Sequence, residues 1–247
     1  MVLVPVKCPH CESVAVKKYG YAENGKQRYL CCNENCVRKT FVESYTNKAY
    51  DPYIRTRIFF SIVNGGGTRA TARTLGIDKD TVTAALKSME HKLWYINYDY
   101  IEHHKNGDIP VDFVRVDEAE MDEMWSFYHD KKHQIWLWWA IDHNTGEPLA
   151  FHFGTREHKN LDALLELLKP FSINIVYSDD NFAYEKRIDN NIPGKRNTQR
   201  IERLHLSLRT WCSRLVRKGI RFSKSDTLHK IVVALVINFW FFNRIIW

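Results

Sequence analysis

The fold of this chain is decided by residues 116–128, with the sequence VDEAEMDEMWSFY, and by residues 134–141, with the sequence QIWLWWAI. The first stretch is strand-like and crowded with acidic residues. The second is almost wholly apolar, as expected for a strand that is covered on both faces. Polar residues at 130–133 predict a turn between them. We therefore expect an antiparallel pair of strands at the start of a sheet.

Further elements are predicted after this pair from the periodicity of apolar residues. They are a third strand at 149–153, a helix at 161–168, a fourth strand at 173–177 and a last helix at 197–211. An antiparallel meander followed by a helix and another strand is typical of a mixed α/β sheet.

Three acidic residues stand on three of these elements: Asp122 on the first strand, Asp179 after the fourth strand and Glu202 on the last helix. Carboxylates that converge in space repel one another unless cations bind between them, and hard oxygen ligands select Mg²⁺ or Mn²⁺. Two such ions about 4 Å apart can hold the attacking and leaving oxygens of a phosphodiester displacement. The three acids therefore predict a two-metal site.

Each acid also has an ordinary interpretation. Asp179 could cap the next helix, Glu202 could complement a helix N-terminus, and Asp122 competes with four other acids of its strand. Glu202 lies about 100° from the centre of an apolar helical stripe, so it can face the sheet. That stripe consists of Ile201, Leu204, Leu208, Trp211 and Leu215.

Charge is distributed in three blocks along the 247 residues, although the net charge is +7. Residues 1–100 carry 15 basic and 9 acidic side chains, residues 101–190 carry 9 and 18, and residues 191–247 carry 12 and 2. Two basic blocks around an acidic one are typical of a polyanion binder with a concentration of carboxylates in its middle.

Five of the six cysteines lie near the start of the chain. Cys8 and Cys11 form a Cys-x-x-Cys knuckle, and a second pair about twenty residues later can complete a tetrahedral zinc site. We favour Cys31 with Cys36 for that pair, and Cys32 remains an alternative to Cys31. A metal-free thiol cluster or a disulfide is the competing interpretation. Short strands at 14–20 and 27–30 around a Gly25 turn predict a zinc-ribbon outline.

Residues 53–93 change to helical periodicity. A first helix at 54–63 is stopped by three glycines, Thr68 is a predicted N-cap of the second helix, and Asp78 caps a third after a turn at residues 76–77. This spacing predicts a DNA-binding helix-turn-helix, for which a structural three-helix bundle is the alternative. The residues expected to contact DNA are Arg69, Arg73, Lys79, Thr81, Thr83 and Lys87.

Composition excludes several classes of protein. With 45% hydrophobic and 13% aromatic residues the chain is globular rather than disordered. We expect no secretory signal, since the N-terminus lacks a basic-then-apolar leader. The apolar stretch 231–247 contains Asn238, Asn243 and Arg244, so we expect a buried helix rather than a membrane span. Cys212 is expected to be a buried thiol.

The sequence resembles transposases of the insertion-sequence-one family over most of its length. In the middle and the C-terminal part, the resemblance is carried by residues 120–125 (EMDEMW), 178–179 (SD), 198–203 (TQRIER) and 223–225 (SKS). Near the start it extends to 28–31 (RYLC), 38–41 (RKTF) and 69–73 (RATAR). Two positions depart from the family pattern: the second cysteine knuckle is longer, and Asp180 replaces a glycine.

This resemblance implies a ribonuclease-H-like catalytic domain with a DDE triad, which would be Asp122, Asp179 and Glu202. It implies zinc ligands at Cys8, Cys11, Cys31 and Cys36. The implied domains are a zinc-binding finger at 1–45, a helix-turn-helix domain at 50–93, a linker at 94–115 and a catalytic domain at 116–247, fused in one chain.

The implied function is a DNA transposase that binds terminal inverted repeats and catalyses metal-dependent strand cleavage and strand transfer. Its partners would be double-stranded DNA at element ends and target, and a second copy of the chain, with no membrane. We expect it in the cytoplasm at the nucleoid. The alternatives are a non-catalytic DNA-binding regulator and a ribonuclease-H-like junction nuclease. Phosphate contacts are expected from Arg200, Arg203, Arg209, Arg214, Arg217, Lys218, Arg221 and Lys224.

Overall fold

The computed structural model describes residues 5–43, 48–92, 116–179, 182–216, 218 and 222–241. The predicted linker at 94–115 lies outside the described residues, as do Arg217 and Arg221. The chain divides into two compact units, one comprising Met1–Ser61 with Gly67–Ala85 and the other Ile62–Gly66 with Leu86–Trp247.

A small three-stranded sheet opens the first unit. Its strands are β1 (Val16–Tyr21), β2 (Gln27–Cys31) and β3 (Thr40–Val42), and each pairs antiparallel with the next. The predicted hairpin is confirmed, with Gly25 at φ 75° in its turn, a conformation that favours glycine. Strand β3 was not predicted, because three residues are too few to show an alternation.

Three helices follow: α1 (Pro52–Val63), α2 (Thr68–Leu75) and α3 (Lys79–Lys87). Gly76 ends α2 in the left-handed conformation, as the predicted turn requires. Asp78 caps α3 as predicted, since its Oδ1 accepts the backbone N–H of Asp80 at 2.6 Å. The prediction for Thr68 was wrong by one residue. Gly67 occupies the N-cap in an extended conformation, and its carbonyl accepts the N–H of Thr71.

The second unit is built on a five-stranded mixed sheet. Its elements are β4 (Glu118–Phe127), β5 (Gln134–Asp142), β6 (Pro148–Gly154), α4 (His158–Leu168), β7 (Ile175–Ser178), α5 (Phe182–Glu185), β8 (Asn191–Pro193), α6 (Gln199–Trp211) and α7 (Asp226–Trp240). The strand order is β6-β5-β4-β7-β8. Strand β5 is antiparallel to both neighbours, whereas β4, β7 and β8 are parallel. This topology agrees with the mixed α/β, ribonuclease-H-like fold that the resemblance implies.

The core of this unit lies between the sheet and its helices. Trp138 and Trp139 of β5 are fully buried, and so is most of α7 from Ile231 to Asn238. The predicted buried C-terminal helix is thus confirmed for the part of 231–247 that the structure describes. Across the described residues, no helix has the length and apolarity needed to cross a membrane.

Candidate active site

Asp122 and Asp179 come together because β4 and β7 run parallel. Glu120 of β4 is level with Tyr177 of β7. Asp122 comes two residues after Glu120, and Asp179 comes two residues after Tyr177. Side chains two residues apart along a strand share a face of the sheet. The register of one strand pair therefore joins two acids that are distant in the sequence.

Glu123 joins these two residues in a carboxylate cluster. Asp122, Glu123 and Asp179 each place a carboxylate oxygen within 4.8 Å of the other two. The backbone N–H of Glu123 also donates to Asp122 Oδ1 at 2.8 Å. From the sequence, Glu123 was one of the four acids that compete with Asp122. Because side chains alternate along a strand, the pattern does not predict that two neighbouring acids join one cluster.

The Glu123 carboxylate is held by two further side chains. The hydroxyl of Tyr184, which is fully buried, donates to Glu123 Oε2 at 3.0 Å. The Arg156 guanidinium lies 3.6 Å from Oε1 and 4.9 Å from the centre of the Trp136 ring. A hydrogen bond on one oxygen and a cation near the other fix where this carboxylate points.

The carboxylates concentrate negative charge in the site. The pKa of Asp122 is raised to about 7, mainly by burial and also by the charges of Glu123, Asp179 and Glu202, while the N–H bond from Glu123 opposes the rise. Burial and the charges of the same cluster also raise the pKa of Tyr184 well above its usual range. Such a site favours either a proton or a cation among its carboxylates.

Glu202, the third predicted acid, lies beside this cluster rather than in it. It is exposed on the first turn of α6, and within the described residues the oxygens that converge belong to the other three carboxylates. Its charge nevertheless reaches Asp122, whose pKa it raises. The sequence predicted that Glu202 faces the sheet from the edge of the apolar stripe, whereas its side chain is exposed to solvent.

His205, one turn after Glu202, was missed from the sequence. It is 6% exposed and its Nδ1 lies 3.4 Å from Asp122 Oδ2. The indole N–H of Trp139 donates to His205 Nε2 at 2.6 Å. Burial lowers the pKa of His205 to about 3. The predicted stripe assigned burial to Leu204, but Ile201, His205 and Leu208 are the residues of α6 that are buried. Because histidine is polar, the spacing of apolar residues did not predict that His205 would be buried.

The cysteine cluster forms as predicted around four thiols. The sulfurs of Cys8, Cys11, Cys31 and Cys36 all lie within 4.8 Å of one another, the closest pairs being Cys11–Cys31 at 3.5 Å and Cys8–Cys36 at 3.7 Å. Cys32 is exposed. All six cysteines lie in the described part of the chain and none of them forms a disulfide.

Comparisons with known proteins identify the family. A family model described as IS1 transposase, of the DDE type, matches residues 116–243, and one described as InsA C-terminal domain matches residues 45–90. The chain belongs to the IS1 transposase family. The mixed α/β catalytic fold and the helix-turn-helix region implied by the resemblance are thereby confirmed.

Relatives of this IS1-family chain include two InsB proteins. The insertion element iso-IS1n protein InsB of Shigella dysenteriae is 44% identical over 122 residues, which are 49% of this chain and 93% of the relative. The IS1 4 protein InsB of Escherichia coli K12 is 41% identical, over 49% of this chain and 73% of its own. A crystal structure of the catalytic core domain of BIV integrase aligns with 49% of this chain and 82% of its own, at 17% identity and a TM-score of 0.34.

The helix-turn-helix of this IS1-family chain presents basic side chains to solvent. Arg69 and Arg73 on α2, and Lys79 and Lys87 on α3, are exposed. The two threonines predicted to contact DNA, Thr81 and Thr83, are half-buried on α3. The core positions predicted for α3 are confirmed, since Val82, Ala85 and Leu86 are buried.

The basic residues of the catalytic unit divide into exposed and engaged side chains. Arg200 and Arg203 are exposed on α6, and Arg200 donates to the carbonyl of Asn144. Arg209 is half-buried. Arg214 donates to the buried hydroxyl of Ser223 at 2.9 Å, so its guanidinium serves an internal hydrogen bond. Among the predicted phosphate contacts that the structure describes, Arg200, Arg203, Lys218 and Lys224 are exposed and therefore accessible to a phosphate.

Proposed function

We propose that this transposase cleaves DNA at the ends of its element and joins those ends to a target, using Asp122, Asp179 and Glu202. The convergence of Asp122 and Asp179 through the β4–β7 register, with Glu202 close enough to act on Asp122, is the observation that supports this. We also propose the domain bounds given above, with residues 116–247 as the catalytic part.

The donor set fits divalent cations. Carboxylate oxygens are the ligands that Mg²⁺ and Mn²⁺ prefer, and the raised pKa of Asp122 marks a site where a cation would relieve repulsion. When bound, such ions would stabilise negative charge on the attacking and leaving oxygens of a phosphodiester. The residues that would hold them are Asp122 and Asp179, with Glu202 completing the site.

The proposed reaction consists of a phosphodiester hydrolysis followed by a transesterification. In the first, a water oxygen bonds to phosphorus at the element end, the bond to the 3′ oxygen breaks, and that oxygen leaves as a 3′-hydroxyl. In the second, this hydroxyl attacks a target phosphodiester and displaces a target 3′-hydroxyl, so one ester bond replaces another. Arg200 and Arg203 would neutralise the phosphates nearby.

DNA recognition is proposed for the first unit. Zinc held by Cys8, Cys11, Cys31 and Cys36 would stabilise the small finger, which has too few residues for a large core. Helix α3 would enter the major groove of double-stranded DNA at the inverted repeats. The exposed arginines of α2, Arg69 and Arg73, would contact the DNA phosphate backbone. Bringing two ends together would need at least a dimer, acting in the cytoplasm at the nucleoid.

Replacement of Asp179 by Asn tests the catalytic assignment. We expect the variant to bind an element-end duplex normally and to lose Mg²⁺-dependent nicking. Asp189→Asn, in an exposed turn of the same unit, is the matched control and should nick normally. Undiminished nicking by the Asp179 variant would remove that residue from the reaction.

The same assay separates the competing functions. An unmodified protein that binds ends but never nicks them in Mg²⁺ or Mn²⁺ would be a regulator. One that nicks but never joins strands would be a junction nuclease. Joining of an end to a target duplex is the result that we expect.

A further inference from the structure

Asp122 has a hydrogen bond to one of its carboxylate oxygens and a histidine nitrogen close to the other. The backbone N–H of Glu123 occupies Oδ1 at 2.8 Å, and His205 Nδ1 faces Oδ2 at 3.4 Å. The first donor belongs to the strand itself. The second comes from a buried side chain of α6, to which neither the family comparisons nor the proposed reaction gives a task.

Trp139 determines which nitrogen of His205 carries the proton. An indole N–H can only donate, so the 2.6 Å contact requires an unprotonated, accepting Nε2. A neutral imidazole then has its single proton on Nδ1, the nitrogen that faces Asp122. An imidazolium would place two donors against each other at this distance, so the contact also excludes the charged ring.

The sheet register explains why these three residues meet. Trp139 on β5 is the cross-strand partner of Asp122 on β4, and partners directly opposite each other share a face of the sheet. His205 contacts both residues, and the plane of its ring lies within 9° of that of Trp139. Since Glu202 and His205 are three residues apart on α6, the helix brings both of them towards Asp122.

We propose that His205 is a positioning residue, held as its Nδ1–H tautomer by Trp139, which fixes the Asp122 carboxylate for divalent-cation binding. This rests on the proposed function of Asp122 as a metal ligand. Donors behind a metal-binding group orient it, and their loss typically weakens metal affinity about 10- to 100-fold. The 3.4 Å separation would shorten when the site is loaded, as contacts at active sites commonly do.

The tautomer of His205 is tested first, by a measurement that does not depend on enzymatic activity. In ¹⁵N-histidine NMR spectra of the metal-free protein at neutral pH, we expect the His205 proton on Nδ1, assigned by its absence in His205→Leu. Trp139→Phe keeps a ring but removes the indole N–H, so we expect the proton to redistribute between the nitrogens. A proton on Nε2 of the unmodified protein would overturn the proposal.

The positioning role is tested by metal binding. Mn²⁺ affinity is measured by electron paramagnetic resonance, alongside the Mn²⁺ concentration that gives half-maximal nicking. We expect His205→Leu to lower the Mn²⁺ affinity, and to raise the Mn²⁺ concentration needed for half-maximal nicking, by about 10-fold or more. Binding of end DNA should be unchanged. His205→Asn, whose amide offers an N–H near the position of Nδ1, should recover most of the loss. His152→Asn, at a half-buried histidine of β6, is the control.

Two outcomes contradict the inference: an unchanged Mn²⁺ affinity in His205→Leu, or an Asn variant as impaired as the Leu variant. If His205→Leu fails to fold, Trp139→Phe and His205→Asn give the same comparison. Failure of the proposed function looks different, because the unmodified protein itself would then neither bind Mn²⁺ at Asp122 nor nick DNA.

Discussion

Glu120 of β4 caps helix α6 from a distance of 81 residues in sequence: its Oε2 accepts the backbone N–H of Ile201 at 2.9 Å. The first N–H groups of a helix have no partner within the helix. Thr198, at the N-cap, makes no side-chain cap bond within the described chain. The other Glu120 oxygen accepts from His143 Nδ1 at 2.8 Å, and the side chain is 1% exposed. This carboxylate therefore locates the helix that carries Glu202 and His205.

Replacing Glu120 by Ala should destabilise the protein, since the N–H of Ile201 and the ring of His143 lose a buried acceptor. We expect the free energy of unfolding in urea to fall by about 2–3 kcal/mol, and by less for Glu120→Gln, which keeps one oxygen. Glu147→Gln, in the exposed β5–β6 turn, should change it by less than about 0.5 kcal/mol. Equal stability of the Glu120 and Glu147 variants would remove the capping role.

The raised pKa of Asp122 predicts a pH-dependent stability in the absence of divalent cations. Its pKa is about 7 in the folded protein and about 3.9 when unfolded, so between these values the folded state binds the proton more tightly. This residue's contribution to stability therefore falls as pH rises from about 4 to about 7. Asp122→Asn should remove that loss and stabilise the metal-free protein at pH 8, by on the order of 2–4 kcal/mol.

The measurement is a series of urea melts in EDTA across this pH range. Buried His205 and His229 have pKa values that are each lowered to about 3, so their contributions to stability increase as pH rises. Both residues are present in both proteins. The difference between the variant and the unmodified chain therefore isolates Asp122. Added Mg²⁺ should stabilise the unmodified protein and leave the variant nearly unaffected. A difference that does not vary with pH would contradict the raised pKa.

The finger offers a matched pair of cysteines for a test of zinc binding. Cys31→Ser removes a buried member of the four-thiol cluster, whereas Cys32→Ser alters an exposed neighbour. We expect metal analysis of the purified full chain to give close to one zinc per chain for the unmodified protein and for Cys32→Ser, and well below one for Cys31→Ser. The reverse pattern would transfer the ligand role to Cys32.

Lys79 and Lys87 of α3 should each contribute to DNA binding through charge. Replacing either by Ala removes one phosphate-neutralising cation, so the slope of log affinity against log salt should decrease by about 1 per lysine. Fluorescence anisotropy with an end-containing duplex over a range of salt concentrations gives this slope. Lys169→Ala, an exposed lysine of the catalytic unit paired with Glu166, should leave it unchanged. A slope that both α3 variants preserve would exclude these lysines from the interface.

The sequence by itself determined the order of the main elements. Alternation and helical periodicity are local, so β4, β5, β6, α4, β7 and α6 could be predicted to within a few residues. Asp122 and Asp179 could be singled out for the same reason, because each belongs to a predicted strand or follows one. The glycine at position 76 and the acid at 78 marked the helix-turn-helix, since both act within one turn of chain.

Only the tertiary structure decided how distant residues combine. The β4–β7 register brings Asp179 beside Asp122, and Glu123 joins them in the folded site. The docking of α6 turns His205 towards Asp122 and Ile201 towards Glu120. The ribbon likewise buries Cys31 and exposes Cys32, although both fit the ligand spacing. A sequence pattern reflects local interactions, such as strand alternation, helical periodicity and capping, between residues that are close in the chain. Strand register and helix docking depend instead on the packing of the whole core, and they set which carboxylates, donors and thiols meet.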